Sequence, residues 1–421
     1  MSKNKYYTIH RTSKLLEFIN ENLTPNLKNK KEHGEVFTPI SLVKEMLDKL
    51  PKNVWINPDL KWLDPSVGIG NFAIIVYLEL MKGLENWEPD EEKRRKHILE
   101  NMLYMVDISK KNIYILKKIF CDSEYKLNIF EGSFIDDVQY KVYNPEIQFD
   151  IIIGNPPYND SGGISTGGKN LYTKFLNKSI DLLNKKNGEI LFITPISIFK
   201  TTNDKKTDLF EKISNLNINF INFNEPKKFF TVGSTFCYYN ISTHNRKKTF
   251  KTVLNNKEIN GEIYDINFNW LPLIPNKKTY SILQKTMKNN LNCIREDKPI
   301  TLKNKVYFKR KNHINYNNPS FKPNISYGNI KETGVITIHD NSLTKLKTIK
   351  TVLESPLYKF IYININYDGV IYHKLLNLFG IPENIINNPT DQDIYNYYGI
   401  TKKEQELIEE ILVSSKKSIK K

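Results

Sequence analysis

From about residue 40 to residue 245 the apolar positions alternate between short continuous runs and stripes at helical spacing. Leu42, Val43, Met46, Leu47 and Leu50 recur at helical intervals over Ser41–Leu50, and Thr38 or Ser41 can cap the start. Lys61–Leu63 reads as a short strand. It runs into Asp64-Pro65-Ser66-Val67-Gly68-Ile69-Gly70-Asn71-Phe72 and then an apolar helix, Ala73–Met81. Strands are expected at Met102–Val106, ending in Asp107, and near Leu127–Phe130, ahead of Ser133-Phe134; a helix over Lys110–Phe120 separates them. Ile151-Ile152-Ile153 reads as a strand apolar on both faces. A helix over Leu171–Leu183 and strands at Glu189–Thr194 and Phe236–Ser242 complete the alternation. This order predicts one α/β domain with a largely parallel sheet.

Flanking segments differ in character. Residues 1–33, with helical spacing at Leu15, Leu16, Phe18 and Ile19, read as an N-terminal helical extension, and 34–245 as the α/β domain. Residues 246–421 read as a second folded domain of α+β type, apolar at Ser355–Ile365 and Val370–Leu378 and closing with an amphipathic helix over Thr401–Leu412. Within it Lys305–Lys311 interleaves aromatic and cationic side chains. That mix suits phosphate contact with stacking, or an edge strand with basic residues facing solvent. Gly83–His97 is charged and reads as a surface insertion. Its Pro89-Asp90-Glu91-Glu92-Lys93 superficially resembles a nuclease signature but packs the acids into one helical turn, as a solvated face does.

Charge adds a partner class. Sixty-two Lys and Arg against 46 Asp and Glu leave a net charge of +16, which suits a polyanion such as DNA or RNA; lysine enrichment from an AT-rich genome gives the same balance. Cys121, Cys237 and Cys293 have no CxxC spacing and the seven histidines no HxxxH pair, so neither a disulfide framework nor a metal site is expected. No secretory signal and no membrane span is expected, and the location expected is the cytoplasm.

The candidate chemistry lies in two loops at strand ends. Strand, Gly-rich turn and helix over Trp62–Met81 leave backbone amides and a helix N-terminus available to a ligand, and Asp107 sits where nucleoside-binding folds hold ribose hydroxyls. The second loop is Gly154-Asn155-Pro156-Pro157-Tyr158. Pro156 and Pro157 can neither donate to a sheet ladder nor continue a helix, so the chain leaves the strand as a stiff loop carrying one amide and one aromatic ring. By itself this loop also fits a plain turn capped by Asn155. Ser161–Gly168, rich in Gly and Ser, has the composition of a closing segment.

Gly34–Pro39, Asp64–Phe72, Asp107 and Asn155–Tyr158, in that order and ahead of a distinct C-terminal domain, resemble the DNA adenine-N6 methyltransferases of the gamma class, and within it the Eco57I-like restriction-modification methylases. The resemblance covers residues 34–245, and more loosely Asp391–Ile411 through Tyr395-Asn396-Tyr397-Tyr398-Gly399-Ile400. It implies a Rossmann-like domain dependent on S-adenosylmethionine (SAM) and a C-terminal target-recognition domain. It also implies double-stranded DNA as substrate and a cognate restriction endonuclease as candidate partner; no separate nuclease motif is visible, so no cleavage activity is expected in this chain.

The family's cofactor contacts fall on Phe37, Thr38, Pro39, Asp64, Ser66, Gly68, Asp107, Ser133, Phe134 and Asn155. Ser133 stands where many relatives carry Asp against the cofactor's adenine amine, and Phe134 would flank that adenine. Catalysis would rest on Asn155, Pro156, Pro157 and Tyr158. Asn155 and the Pro156 carbonyl would accept from the adenine amine, while Tyr158 stacks on the flipped base and Phe230, with Phe229 the alternate, closes its other face. An RNA adenine or a protein glutamine-N5 methyltransferase uses the same loop and is the alternative.

Overall fold

The computed structural model describes residues 9, 38–121, 123–136, 146–158, 171–199, 208–223, 236–245, 247, 249–254, 257–262, 270–287, 294–296, 305–309, 324–326, 335–365, 376–381 and 385–417. The chain divides into two compact units, residues 1–195 with 211–259, and residues 196–210 with 260–421.

The first unit is built on a nine-stranded sheet. Its strands are β1 (Trp62–Asp64), β2 (Leu103–Asp107), β3 (Asn128–Glu131), β4 (Ile151–Gly154), β5 (Glu189–Pro195), β6 (Asn217–Asn222), β7 (Phe236–Ser242), β8 (Thr249–Leu254) and β9 (Lys257–Glu262). The order across the sheet is β3-β2-β1-β4-β5-β7-β6-β8-β9. β3, β2, β1, β4 and β5 are mutually parallel, while β7 runs antiparallel to both β5 and β6. This is the mostly parallel α/β architecture the alternation predicts. The composition change at residue 245 does not end the sheet: β8 pairs in parallel with β6, and β9 follows it at the edge. The expected boundary therefore falls too early, because β8 interrupts its apolar positions with Lys251 and Thr252 and β9 at the edge has only Ile259, so neither shows the continuous apolar run of the central strands.

The three isoleucines of β4 are buried between β1 and β5, as a strand covered on both faces must be. Each such side chain removed from water contributes on the order of 1.5–3 kcal/mol. Helix α1 (Ile40–Leu47) buries Leu42, Val43, Met46 and Leu47. Helix α2 (Asn71–Gly83) buries residues all round, from Asn71 through Tyr77 and then Leu80, as the core helix after the first strand does. Sheet order reverses between β1 and β4, so their C-terminal ends open onto the crevice where doubly wound sheets take their ligands.

The charged insertion forms helix α3 (Glu91–His97), capped by Asp90, whose carboxylate accepts from the Glu92 and Lys93 amides. It is not wholly solvated. Arg94 and Arg95 are buried, and Arg95 pairs with Glu91 at 2.5 Å and Glu92 at 2.7 Å while donating to the Tyr77 hydroxyl at 3.1 Å. The helix is thus an anchored brace on α2, and no cluster among the described residues has the makings of a metal site. Helices α4 (Lys110–Ile119) and α5 (Leu171–Leu182) complete the connections beside the site, and α6 (Asp208–Ser214) precedes β6.

The second unit carries a four-stranded antiparallel sheet, ordered β10-β13-β11-β12, of β10 (Ile294–Glu296), β11 (Lys305–Lys309), β12 (Asn324–Ser326) and β13 (Val335–His339). With helices α7 (Lys277–Thr286), α8 (Leu343–Glu354), α9 (Pro356–Ile365), α10 (Asp391–Tyr398) and α11 (Lys402–Lys417) it is α+β, as expected. α9 packs against α8, α10 and α11, and Tyr358 and Tyr398 both donate to the Gly380 carbonyl. One expectation fails here. β11 is an interior strand between β13 and β12, and Lys305 is fully buried, so this segment is no solvent-facing edge. No helix of the described residues is long and apolar enough to cross a membrane.

Candidate active site

Gly154 ends β4 at φ 150°, a backbone region that side chains avoid, and a Cβ there would lie 2.9 Å from Asp64 Oδ1. Glycine therefore lets β4 close on the end of β1 and turns the chain into Asn155. The Asn155 amide is held at both ends. Its Nδ2 donates to Thr38 Oγ1 at 3.0 Å, and its Oδ1 accepts from the Tyr158 hydroxyl at 2.5 Å. Its backbone carbonyl accepts from Ser66 Oγ at 3.4 Å, which ties the loop to the turn after β1. Tyr158 is half-buried, with its ring tilted on Phe236 at 4.8 Å between centroids, and burial pushes its phenol well above the ordinary range. Pro156 is buried and Pro157 half-buried beside it.

The neighbouring loop is a cradle of backbone amides around two carboxylates. Gly68 and Gly70 sit at φ 56° and 99°, which winds the chain from β1 into α2 within a few residues. Gly68 N–H donates to Asp107 Oδ2 at 2.8 Å, and a Cβ on Gly68 would meet nothing within 4 Å, so the loop surface is open there. Asp107 Oδ1 accepts from the Ser109 amide at 2.8 Å and from Asn112 Nδ2 at 3.2 Å, which fixes the carboxylate at the strand end. Asp64 is buried. Burial pushes its carboxyl up to about 8; the Ser66 amide, donating at 3.1 Å, opposes the rise, and the Asp107 charge adds to it.

These groups come together from distant stretches of chain. Thr38, Asp64, Ser66 and the Asn155–Tyr158 loop form one chain of hydrogen bonds at the C-terminal ends of β1 and β4, and the Gly68–Asp107 pair lies beside it, near enough for the Asp107 charge to act on Asp64. Pro39 is the residue before α1. Ser133 follows Gly132, whose N–H donates to the Asp107 carbonyl at 2.9 Å, so it too lies at this end of the sheet. Phe134 differs from expectation. It is 1% exposed, packed on Phe175 at 5.3 Å with Lys178 Nζ 5.6 Å from its ring, and so supports the loop from inside instead of offering a face. Phe37, Phe229, Phe230, Gly34–Val36 and the Ser161–Gly168 segment lie outside the described residues.

Two residues escape a reading of the sequence. Ile108, next to Asp107, is 74% exposed, an apolar face beside a carboxylate at a ligand-binding strand end; its signal is an isoleucine where the strand has already stopped. Phe236 backs Tyr158, which only the antiparallel placement of β7 against β5 reveals.

The donor set fits SAM. A fixed carboxylate at the end of β2 suits ribose hydroxyls, the open Gly68 loop suits a close backbone approach, and the buried Asp64 suits a cationic amino group.

Comparison with known proteins agrees with this geometry. Residues 53–230 match the family model described as Eco57I restriction-modification methylase. An uncharacterized adenine-specific methylase of Mycoplasma pneumoniae is 29% identical over 249 residues, which cover 41% of this chain and 59% of that protein. The chain thus spans less than two thirds of that relative. The Type IIL restriction-modification enzyme MmeI in complex with DNA aligns over 98% of this chain and 82% of its own, at a TM-score of 0.58 and 10% identity. The DNA-bound Type ISP enzyme LlaBIII aligns over 97% of this chain and 42% of its own, at a TM-score of 0.56 and 12% identity. At such identities these two structures attest the fold. Residues 53–230, which hold the Gly-rich loop and the Asn155–Tyr158 loop, are thus similar to the Eco57I restriction-modification methylase family.

Proposed function

We propose that this chain transfers a methyl group from SAM to the N6 amino group of an adenine rotated out of duplex DNA. The observation that carries the proposal is the Asn155 amide, aimed by Thr38 and Tyr158 at the mouth between β1 and β4. Kinship to an adenine-specific methylase and the net charge of +16 support adenine in a polyanion as the target.

An adenine N6 is a weak nucleophile because its lone pair is delocalised into the ring. Asn155 Oδ1 and the Pro156 carbonyl accept its two hydrogens, draw the nitrogen towards tetrahedral geometry and free the lone pair for in-line attack. The rigid Pro156-Pro157 backbone holds both acceptors without reorganisation, so catalysis is placement and electrostatics. SAM would supply the activated methyl and leave as a neutral thioether; the positive charge passes to N6, which then loses one proton to solvent, so no general base of shifted pKa is required. Asp107 holds ribose hydroxyls, Asp64 faces the cationic end, and Ile108 offers the apolar face for the cofactor's adenine. Tyr158, backed by Phe236, stacks on the target base, which is out of reach inside the duplex. The second unit takes the role of target recognition, and a cognate restriction endonuclease is the partner that such methylation would hold off.

Tritiated SAM with unmethylated duplex DNA, RNA or a glutamine-bearing peptide separates the substrates, followed by chromatography of the nucleoside or amino-acid product. N6-methyladenosine from the RNA arm, or label on the peptide alone, overturns the DNA assignment. Asn155→Ala is expected to abolish transfer while SAM affinity stays within about threefold of wild type. Equal loss of both overturns the role of Asn155.

A further inference from the structure

We propose that Thr38, itself held by Asn71, is a positioning residue that sets which end of the Asn155 amide faces the target amine. The inference rests on the adenine methyltransferase reading of the site. An asparagine amide is a donor at one end and an acceptor at the other, and half a turn of its side chain exchanges them. Only the acceptor end can receive an amino hydrogen. With Oδ1 committed to the substrate, Nδ2 must donate elsewhere, and Thr38 Oγ1 lies 3.0 Å from it.

Thr38 is well placed for this task. It is 4% exposed, so no water competes freely for its hydroxyl. Its backbone is pinned, because Asn71 Nδ2 donates to the Thr38 carbonyl at 2.8 Å, and Asn71 is the buried first residue of α2. The line of contact therefore runs from the N-terminus of α2, through the segment before α1, to the loop after β4. The Tyr158 hydroxyl takes one of the two lone pairs of the oxygen that the amine must also use, so it shares that end with the substrate. Thr38 touches the other end and stays in place when a base enters. A hydroxyl, not a methyl, is thus required at 38 for a reason separate from contact with the cofactor.

Thr38→Val keeps shape and volume and deletes the hydroxyl that accepts from the half-buried Asn155 NH₂ group; Thr38→Ser restores the oxygen. With unmethylated duplex DNA at saturating SAM, Thr38→Val is expected to lower kcat about 10- to 100-fold, a larger loss than the one in SAM affinity measured by calorimetry. Thr38→Ser is expected to recover kcat to within about threefold of wild type, and Asn71→Ala to show an intermediate loss. Thr38→Val with wild-type kcat, Thr38→Ser no better than Thr38→Val, or a fall in kcat matched by an equal fall in SAM affinity each overturns the inference. A wild-type chain that methylates no adenine overturns the functional reading itself, an outcome distinguishable from these because wild type and variants are then alike.

Discussion

The Tyr158 hydroxyl donates to Asn155 Oδ1 at 2.5 Å, so the acceptor assigned to the target amine is already engaged by the ring assigned to stack on the same base. The two roles of Tyr158 therefore oppose one another: its face favours base entry, while its hydroxyl competes with the amine for the lone pairs of Oδ1. Tyr158→Phe separates them. The variant is expected to bind DNA carrying a mispaired adenine about 2- to 10-fold more tightly than wild type, because that competition is removed. Tyr158→Ala is expected to weaken the same binding by about 1–3 kcal/mol through lost stacking. Fluorescence anisotropy of an end-labelled duplex carrying the mispaired adenine reads both, and equal loss in the two variants would show that the hydroxyl helps binding instead of competing.

Asp64 couples cofactor binding to pH. Its carboxyl is pushed up to about 8 by burial, so in the ligand-free protein it is protonated at neutral pH. A cationic amino group beside it favours the ionised form, and binding then releases a proton. SAM affinity is expected to rise as pH goes from about 6 to 8 and to level off above, with a limiting slope of about tenfold per pH unit. Titration calorimetry in buffers of different ionisation enthalpy measures the proton released. Asp64→Asn should bind more weakly and lose the slope; an unchanged slope in that variant would assign the linkage to another group.

Gly154 offers a test of how tightly the two strand ends must meet. Gly154→Ala forces a side chain into a φ of 150° and brings its Cβ to 2.9 Å from Asp64 Oδ1, so the loop and the carboxylate cannot both hold position. A loss of about 1–3 kcal/mol in denaturant unfolding is expected, together with weaker cofactor binding. Stability within about 0.5 kcal/mol of wild type would mean that the loop relaxes without strain.

Much of this arrangement is legible in the sequence for a physical reason. Ile151–Ile153 and Phe236–Ser242 are buried strands whose apolar runs announce them, and Gly154 with Pro156 and Pro157 fixes where the first must stop. Thr38 and Asn155, 117 positions apart, meet only once β1 and β4 are known to be neighbours, and no spacing rule encodes that contact. Likewise, Phe134 looks like a ligand-facing ring until α5 is known to bring Phe175 and Lys178 over it. Edge strands are the hardest to read. β9, the edge strand, has one apolar position, Ile259, because one side of an edge needs no partner, and β8 beside it breaks Phe250, Val253 and Leu254 with Lys251 and Thr252.

At the opposite end of β5 a buried carboxylate makes stability depend on pH. Glu189 starts the strand with its side chain 2% exposed. Its Oε2 accepts from Asn240 Nδ2 at 2.7 Å and Asn219 Nδ2 at 3.1 Å, and His244 Nδ1 is 3.3 Å from Oε1. Burial pushes the carboxyl up to about 7, and the two asparagine amides only partly offset it. Between the ordinary carboxylate range and that value the folded chain holds the proton more tightly than the unfolded chain. This group's contribution to stability therefore falls as pH rises through the window and is constant above it. Glu189→Gln keeps an oxygen for both asparagines and removes the ionisation. At pH 8 the variant is expected to be more stable than wild type by about 1–3 kcal/mol, and near pH 4.5 the two should agree to within about 0.5 kcal/mol. Urea denaturation at the two pH values measures the difference, and a variant less stable than wild type at pH 8 would show that the ionised carboxylate, paired with His244, holds the end of the sheet together.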